Sequence, residues 1–285
     1  MPIELREIRK DFVAEIDGID LSGAIDKALS NQLRQATKKF AVIIIRNQDI
    51  DYESFVRCAD VIGKAGRCQD ITNLNEDGTI RAPSSFEARQ ARGNALWHTD
   101  MPVLEIPPVG AMLLAQELPS AGGETQLADL CAAWSTLPAD LKRRIENLTA
   151  VHDIETIRRR MGITDLEELK SEYLPAEHPL VCYDPLSGKA SLLFGAHTSH
   201  ITNLPGDESR SLLDELLRHS TREELTYRHS WHRFDLLYWN NRRTLHRVLP
   251  YNEVSDRRRL WRVEVLGTDR PSNKPRSFWQ RLASI

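Results

Sequence analysis

Apolar positions along this chain follow two periods, and the switches between them divide it into elements. Short runs at 5–8 and 13–16 predict a strand pair, and Leu29, Leu33 and Ala36 then fall on one face of a helix. Ala41-Val42-Ile43-Ile44-Ile45-Arg46 is a continuous β-branched run with polar flanks, the pattern of a strand covered on both sides. Asp51 is placed to cap a second helix carrying Phe55, Val56, Ala59 and Ile62, with Gly63 at its end.

Residues 66–94 are polar and hold no sustained period. Asn75-Glu76-Asp77-Gly78 reads as a turn and Ala82-Pro83-Ser84-Ser85 as loop, so the stretch is predicted to be a mobile lid. The apolar run Val109-Gly110-Ala111-Met112-Leu113-Leu114 and the turn-like Ala121-Gly122-Gly123-Glu124-Thr125 come next. A helical insert is expected over about 129–147, with Pro138 at the first turn of its second helix. Residues 153–178 are charged and irregular, a second lid, and 207–220 read as a helix with Leu212, Leu213, Leu216 and Leu217 facing the core. Asp235-Leu236-Leu237-Tyr238-Trp239 is a strand, and a last strand opens on Arg257, Arg258, Arg259 and Arg262. The sum is mainly β with flanking helices. That is compatible with a double-stranded β-helix, the jelly-roll or cupin-like arrangement, although strand count alone does not choose it.

Composition narrows the class. With 285 residues, 41% apolar and 28% charged, the chain is read as one globular domain spanning 1–285, long enough to bury a core. A net charge of −3 gives no global pull toward nucleic acid. No apolar stretch approaches the ~20 residues of a membrane helix, and the start, Met1-Pro2-Ile3-Glu4-Leu5-Arg6, shows no secretory signal. Cys58, Cys68, Cys131 and Cys182 are scattered, which fits reduced thiols in a cytoplasm and no bridges.

The candidate chemistry centres on His98-Thr99-Asp100. On extended backbone, side chains at i and i+2 leave the same face, so His98 and Asp100 can present an imidazole nitrogen and a carboxylate oxygen to one ion. His246, far downstream, is the candidate third ligand. Two histidines and one carboxylate on one side of a metal leave the opposite positions open, the arrangement of non-heme Fe(II) oxygenases. Structural zinc would close its shell instead.

Larger blocks carry a resemblance: Trp97-His98-Thr99-Asp100, Gly122-Gly123-Glu124-Thr125, Phe194-Gly195-Ala196-His197-Thr198-Ser199-His200, Tyr227-Arg228-His229, Trp239-Asn240-Asn241-Arg242 with His246, and Arg257-Arg258-Arg259-Leu260-Trp261-Arg262. In order and spacing the chain resembles the taurine dioxygenase and 2,4-dichlorophenoxyacetate dioxygenase family of Fe(II)- and 2-oxoglutarate-dependent oxygenases. The likeness runs over nearly the whole length, and the last third is more similar to the phenoxyacetate enzyme. The resemblance implies His98, Asp100 and His246 as iron ligands and Thr125 with Arg258 as the clamp on the distal carboxylate of 2-oxoglutarate, Arg262 at its side. It implies Asn94 and His197 beside the substrate. The choice of Arg258 over Arg257 rests on the four-residue spacing to Arg262. Asn240 stands where the family has aspartate.

The implied cofactors are Fe(II), 2-oxoglutarate and dioxygen, and the implied partner is a small anionic substrate, with assembly as a homo-oligomer. The leading substrate is an aryloxyalkanoate-like carboxylate, whose oxygenation next to the ether oxygen yields a phenol and a 2-oxo acid. Arg262, helped by His197 or Arg158, is expected to meet the anion. The alternatives are a hydroxylase or desaturase of a natural product or sulfonate at the same iron centre, and a non-catalytic metal-binding protein on a cupin-like scaffold.

Overall fold

The computed structural model describes residues 3–163 and 171–275. Its first part contains β1 (Glu4–Arg9), β2 (Val13–Asp17), α1 (Lys27–Lys39), β3 (Val42–Ile45), α2 (Tyr52–Ile62), β4 (Ala65–Thr72) and α3 (Phe86–Ala91). The middle holds β5 (Gly110–Glu117), β6 (Thr125–Asp129), α4 (Leu130–Thr136), α5 (Ala139–Ile145), β7 (Thr149–His152), α6 (Ile154–Arg160) and β8 (Ala176–Pro179). There follow β9 (Val181–Tyr183), β10 (Ala190–Leu192), β11 (Thr198–Ile201) and α7 (Gly206–Ser220), then β12 (Thr226–His229), β13 (Leu236–Asn240), β14 (Thr244–Val248) and β15 (Arg259–Val265).

Seven strands form one sheet in the order β1-β2-β3-β13-β5-β15-β4, antiparallel except where β2 meets β3. A three-stranded sheet, β12-β6-β14, faces it, and two smaller sheets, β11-β7-β8 and β10-β9, complete the β framework. Alternation along the strands sorts the apolar side chains between two cores. Ile43, Ile45, Met112, Leu114, Leu236 and Tyr238 pack with α1 and α2 on one side. Val42, Ile44, Ala111, Leu113, Leu237 and Trp239 pack inward with Leu127 of β6. A third cluster joins Ala128 and Leu245, on the far side of the small sheet, to α4, α5 and α7. The result is a jelly roll of two facing sheets with helices outside.

Local signals behave as read. Asp26 accepts from Leu29 N and Asp51 from Ser54 N, each at 2.7 Å, so both helices begin on a side-chain cap. The insert at 129–147 is α4 and α5, with Pro138 just before the latter. The lid at 66–94 needs correction, because it is not one loop. Its start belongs to β4, the outer strand paired with β15, and α3 follows Ser85, whose hydroxyl accepts from Ala88 N. An edge strand half-buried on both faces leaves no alternation to read. The 153–178 stretch carries α6 and β8 at its ends, and 164–170 lie outside the described residues. All four cysteines are free thiols, and among the described residues no helix is long and apolar enough to cross a membrane.

Candidate active site

The space between the two facing sheets opens into a cavity of about 580 Å³. Asn94, His98, Asp100, Thr125, Arg158, His197, His246, Arg258 and Arg262 all line it, so every candidate from the sequence is brought to one place. Strand parity explains much of this. Leu260 packs in the inner core whereas Val263 and Val265 pack in the outer one, so Arg262 shares the inward face with Leu260.

His98 pairs with β14 across one bridge. His98 N donates to His246 O at 3.0 Å and His246 N to His98 O at 2.8 Å. Between the two ligand candidates, the Thr99 hydroxyl donates to Asn241 O at 2.9 Å, which turns it off the cavity. Trp239 Nε1 donates to Asn241 Oδ1 at 2.9 Å and fixes that support in turn. One ligand atom from each of His98, Asp100 and His246 then lies within 4.8 Å of the others.

The donor set fits a divalent ion. His98 Nδ1 lies 2.7 Å from Leu96 O, and a carbonyl only accepts, so Nδ1 carries the proton and the Nε2 lone pair is free. His246 Nε2 lies 3.7 Å from Asp100 Oδ1. Asp100 Oδ2 is buried without a hydrogen-bond partner among the described residues, a costly state for a carboxylate oxygen unless a cation meets it. Burial, reinforced by Arg262, holds the His98 imidazole below its ordinary pKa, and burial with the neighbouring His98 does so more strongly for His246. Burial opposes ionisation of Asp100, but Arg262, His246 and His98 outweigh it and keep the carboxyl well below its usual range. Neutral imidazoles beside an ionised carboxylate are the protonation states a metal needs.

A second feature of the same cavity is Arg258, 5% exposed, with no ion pair to any acid among the described residues. Nε and Nη2 donate to Gly123 O at 3.2 and 3.1 Å, and the guanidinium stands 5.8 Å from the Tyr251 ring. Burial pushes it down to about 10, so it stays charged at neutral pH. Arg257 and Arg259 instead point outward to Glu117 and Asp70. Thr125 accepts from Trp231 Nε1 at 3.1 Å, which leaves its own hydroxyl proton free to donate. Arg262 bridges Asp100 and Glu264, each at 3.0 Å, so its charge is engaged by two acids.

His197 sits on a turn gripped from α6. Arg160 donates to Gly195 O, Ala196 O and Thr198 O at 3.2, 2.9 and 3.0 Å, and Asp153 N donates to His197 O at 2.8 Å. Burial, then His98, push the His197 imidazole down to about 3, so it is a neutral wall group. His200 is exposed, its Nδ1 2.9 Å from the Ser199 hydroxyl. Sequence reasoning passed over Trp231, Glu264 and Arg160. Parity along the last strand would have found Glu264, two residues beyond Arg262.

Comparisons with known proteins agree with this geometry. Residues 4–263 match the model of the taurine catabolism dioxygenase TauD, TfdA family. An alpha-ketoglutarate-dependent 2,4-dichlorophenoxyacetate dioxygenase of Burkholderia sp. (strain RASC) is 33% identical over 284 residues, covering 94% of this chain and 95% of the relative. An (S)-phenoxypropionate/alpha-ketoglutarate-dioxygenase of Sphingobium herbicidovorans is 30% identical over 268 residues, 90% of this chain and 92% of the relative. The crystal structure of AAD-2 in complex with Mn(II) and N-oxalylglycine superposes with a TM-score of 0.91 at 31% identity, covering 96% of this chain and 100% of that one.

Proposed function

Since the chain belongs to the taurine catabolism dioxygenase TauD, TfdA family, we propose that it is an Fe(II)- and 2-oxoglutarate-dependent dioxygenase acting on a small anionic, aryloxyalkanoate-like substrate. The observation that carries this reading is a three-donor cluster, His98, Asp100 and His246, in the same cavity as the buried Arg258 guanidinium, which has no acid partner among the described residues. A metal-binding protein without chemistry has no use for that second cation.

Fe(II), held by His98, Asp100 and His246, would supply the activation of dioxygen that turns 2-oxoglutarate into succinate and carbon dioxide while the substrate gains a hydroxyl group. Arg258 grips the distal carboxylate of 2-oxoglutarate, its planar fork suited to two parallel hydrogen bonds. The Thr125 hydroxyl, oriented by Trp231, adds a donor to the same group. Arg262 holds Asp100 in place from behind. Asn94 and His197 border the substrate, while Ile71, Leu113, Ile157 and Met161 offer an apolar wall to an aryl ring and keep water from the reacting carbon. Hydroxylation at a carbon bearing an aryloxy group gives a hemiacetal that collapses to a phenol and a 2-oxo acid. The relatives that act on 2,4-dichlorophenoxyacetate and phenoxypropionate support this substrate class.

The proposal includes a single domain over 1–285, a cytoplasmic location and a homo-oligomeric assembly that sedimentation would read. Succinate release with Fe(II), 2-oxoglutarate and a panel of anions tests the activity. Coupled turnover with aryloxyacetates is the expected result; turnover with taurine and none with aryloxyacetates removes the substrate class.

A further inference from the structure

A second cavity, of about 310 Å³, lies against the first. Its lining is exposed at Pro83, Glu87 and Ala91 and buried at Arg258, so it leads from solvent to that guanidinium. Gln69, Ile71, Gln90, Asn94, Val248 and Arg258 line both spaces and form the partition between them. Arg258 can therefore be approached from two sides.

The sequence keeps the second side open. Ala88 and Ala91 stand three apart on α3, so they share a face, and both line the cavity. A long side chain at either position would fill it. The wall is also held in place: the Ser85 hydroxyl caps α3 by accepting from Ala88 N at 3.1 Å, and Arg81 Nη1 donates to Thr72 O on β4 at 2.9 Å. Half-buried Arg81 lines the cavity and, like Arg258, has no ion pair to an acid among the described residues. Exposed Glu87 and Glu253 line it too, where water and salt screen their charge.

A cosubstrate held at Arg258 is replaced in every turnover, since 2-oxoglutarate arrives and succinate leaves. With one opening, that exchange would wait until the aryl acid or its product had cleared the cavity they share. We propose that 2-oxoglutarate reaches Arg258, and succinate leaves, through the second cavity, past Ala88 and Ala91, while the aryl acid uses the first. The proposal rests on the reading above that Arg258 grips the distal carboxylate of the cosubstrate.

A passage shows itself in rates. A side chain that narrows it slows entry and exit alike and leaves affinity as it was, because the bound state is the same, whereas a residue that shapes the bound state changes affinity. The anaerobic Fe(II)-loaded protein, which does not turn over, reports bound 2-oxoglutarate by a visible charge-transfer band. Rapid mixing then gives the association rate, and a chase with excess N-oxalylglycine gives the dissociation rate. In A88W both rates are expected to fall about tenfold with the dissociation constant held within about twofold. Ile154→Trp, at a residue that lines the first cavity only, is expected to leave both rates as in wild type. Should A88W fail to fold, A91W, at an exposed position of the same face, carries the test. Unchanged rates in the α3 variants, a loss of affinity without matched slowing of entry and exit, or slowing in I154W alone would each overturn the proposal. A normal band with unaltered rates sinks the route and spares the clamp, while no band in wild type at any concentration of 2-oxoglutarate sinks the reading beneath it and the route together.

Discussion

A buried guanidinium without an acid is costly, and at Arg258 that cost identifies a ligand site. Lysine cannot replace it. An ammonium has no planar fork, and burial that brings Arg258 down to about 10 would push a lysine further toward neutrality. Arg258→Lys is therefore expected to raise the KM for 2-oxoglutarate by about 10- to 100-fold, with a smaller change in kcat, since the distal carboxylate is bound alike in ground and transition states. Steady-state kinetics with varied 2-oxoglutarate checks this, and an unchanged KM would place the carboxylate elsewhere. The choice among three adjacent arginines was legible in the sequence, because alternation throws Arg257 and Arg259 outward, where they pair with Glu117 and Asp70. The supports were not legible. Leu96 orients His98 through a backbone carbonyl, which no residue type announces, and Trp231, whose indole donates to Thr125, lies 106 positions from it in a stretch without a motif of its own.

At the scale of elements, the turn from β13 to β14 is tied down by Asn240. Its Nδ2 donates to Asp184 Oδ1 at 3.0 Å, both side chains fully buried, while Asp184 Oδ2 accepts from Ser187 N and Oγ at 2.8 and 2.5 Å. A carboxylate on each side would leave two acceptors and two charges in contact. Asn240→Asp is expected to cost about 2–3 kcal/mol of stability, and adding Asp184→Asn should restore most of it by exchanging donor and acceptor. Denaturant midpoints of the single and double variants read this out; a single variant as stable as wild type would show that the contact carries no weight. Sequence patterns found β13, the strand before this turn, whose two faces enter different cores. They missed β4, whose residues are half-buried at an edge, and could not have paired Asn240 with Asp184, a contact made across 56 positions of chain.

The whole molecule keeps an unusual set of neutral imidazoles. Burial lowers the pKa of His98, His152, His178, His197, His229 and His246 below the ordinary 6.5, and each is almost wholly shielded from solvent. In the unfolded chain these groups take up protons near pH 6.5, while in the folded protein they resist doing so. Below that pH the unfolded state binds more protons, so stability falls as pH falls. At one unit below, each histidine that stays neutral in the fold costs about 1.4 kcal/mol, and several acting together would remove much of a typical domain's margin of about 5–15 kcal/mol. The depressed carboxylates Glu15 and Asp235 add their own loss only nearer pH 4. Denaturant midpoints of the metal-free protein are therefore expected to drop between pH 7.5 and 5.5, well before carboxylates titrate. Bound metal should raise the midpoint at pH 7.5 and lose that advantage on acidification, because protons compete for His98 and His246. A midpoint flat across this range would mean that these imidazoles titrate as freely in the fold as outside it, and the protonation states assigned to the metal ligands would lose their physical basis.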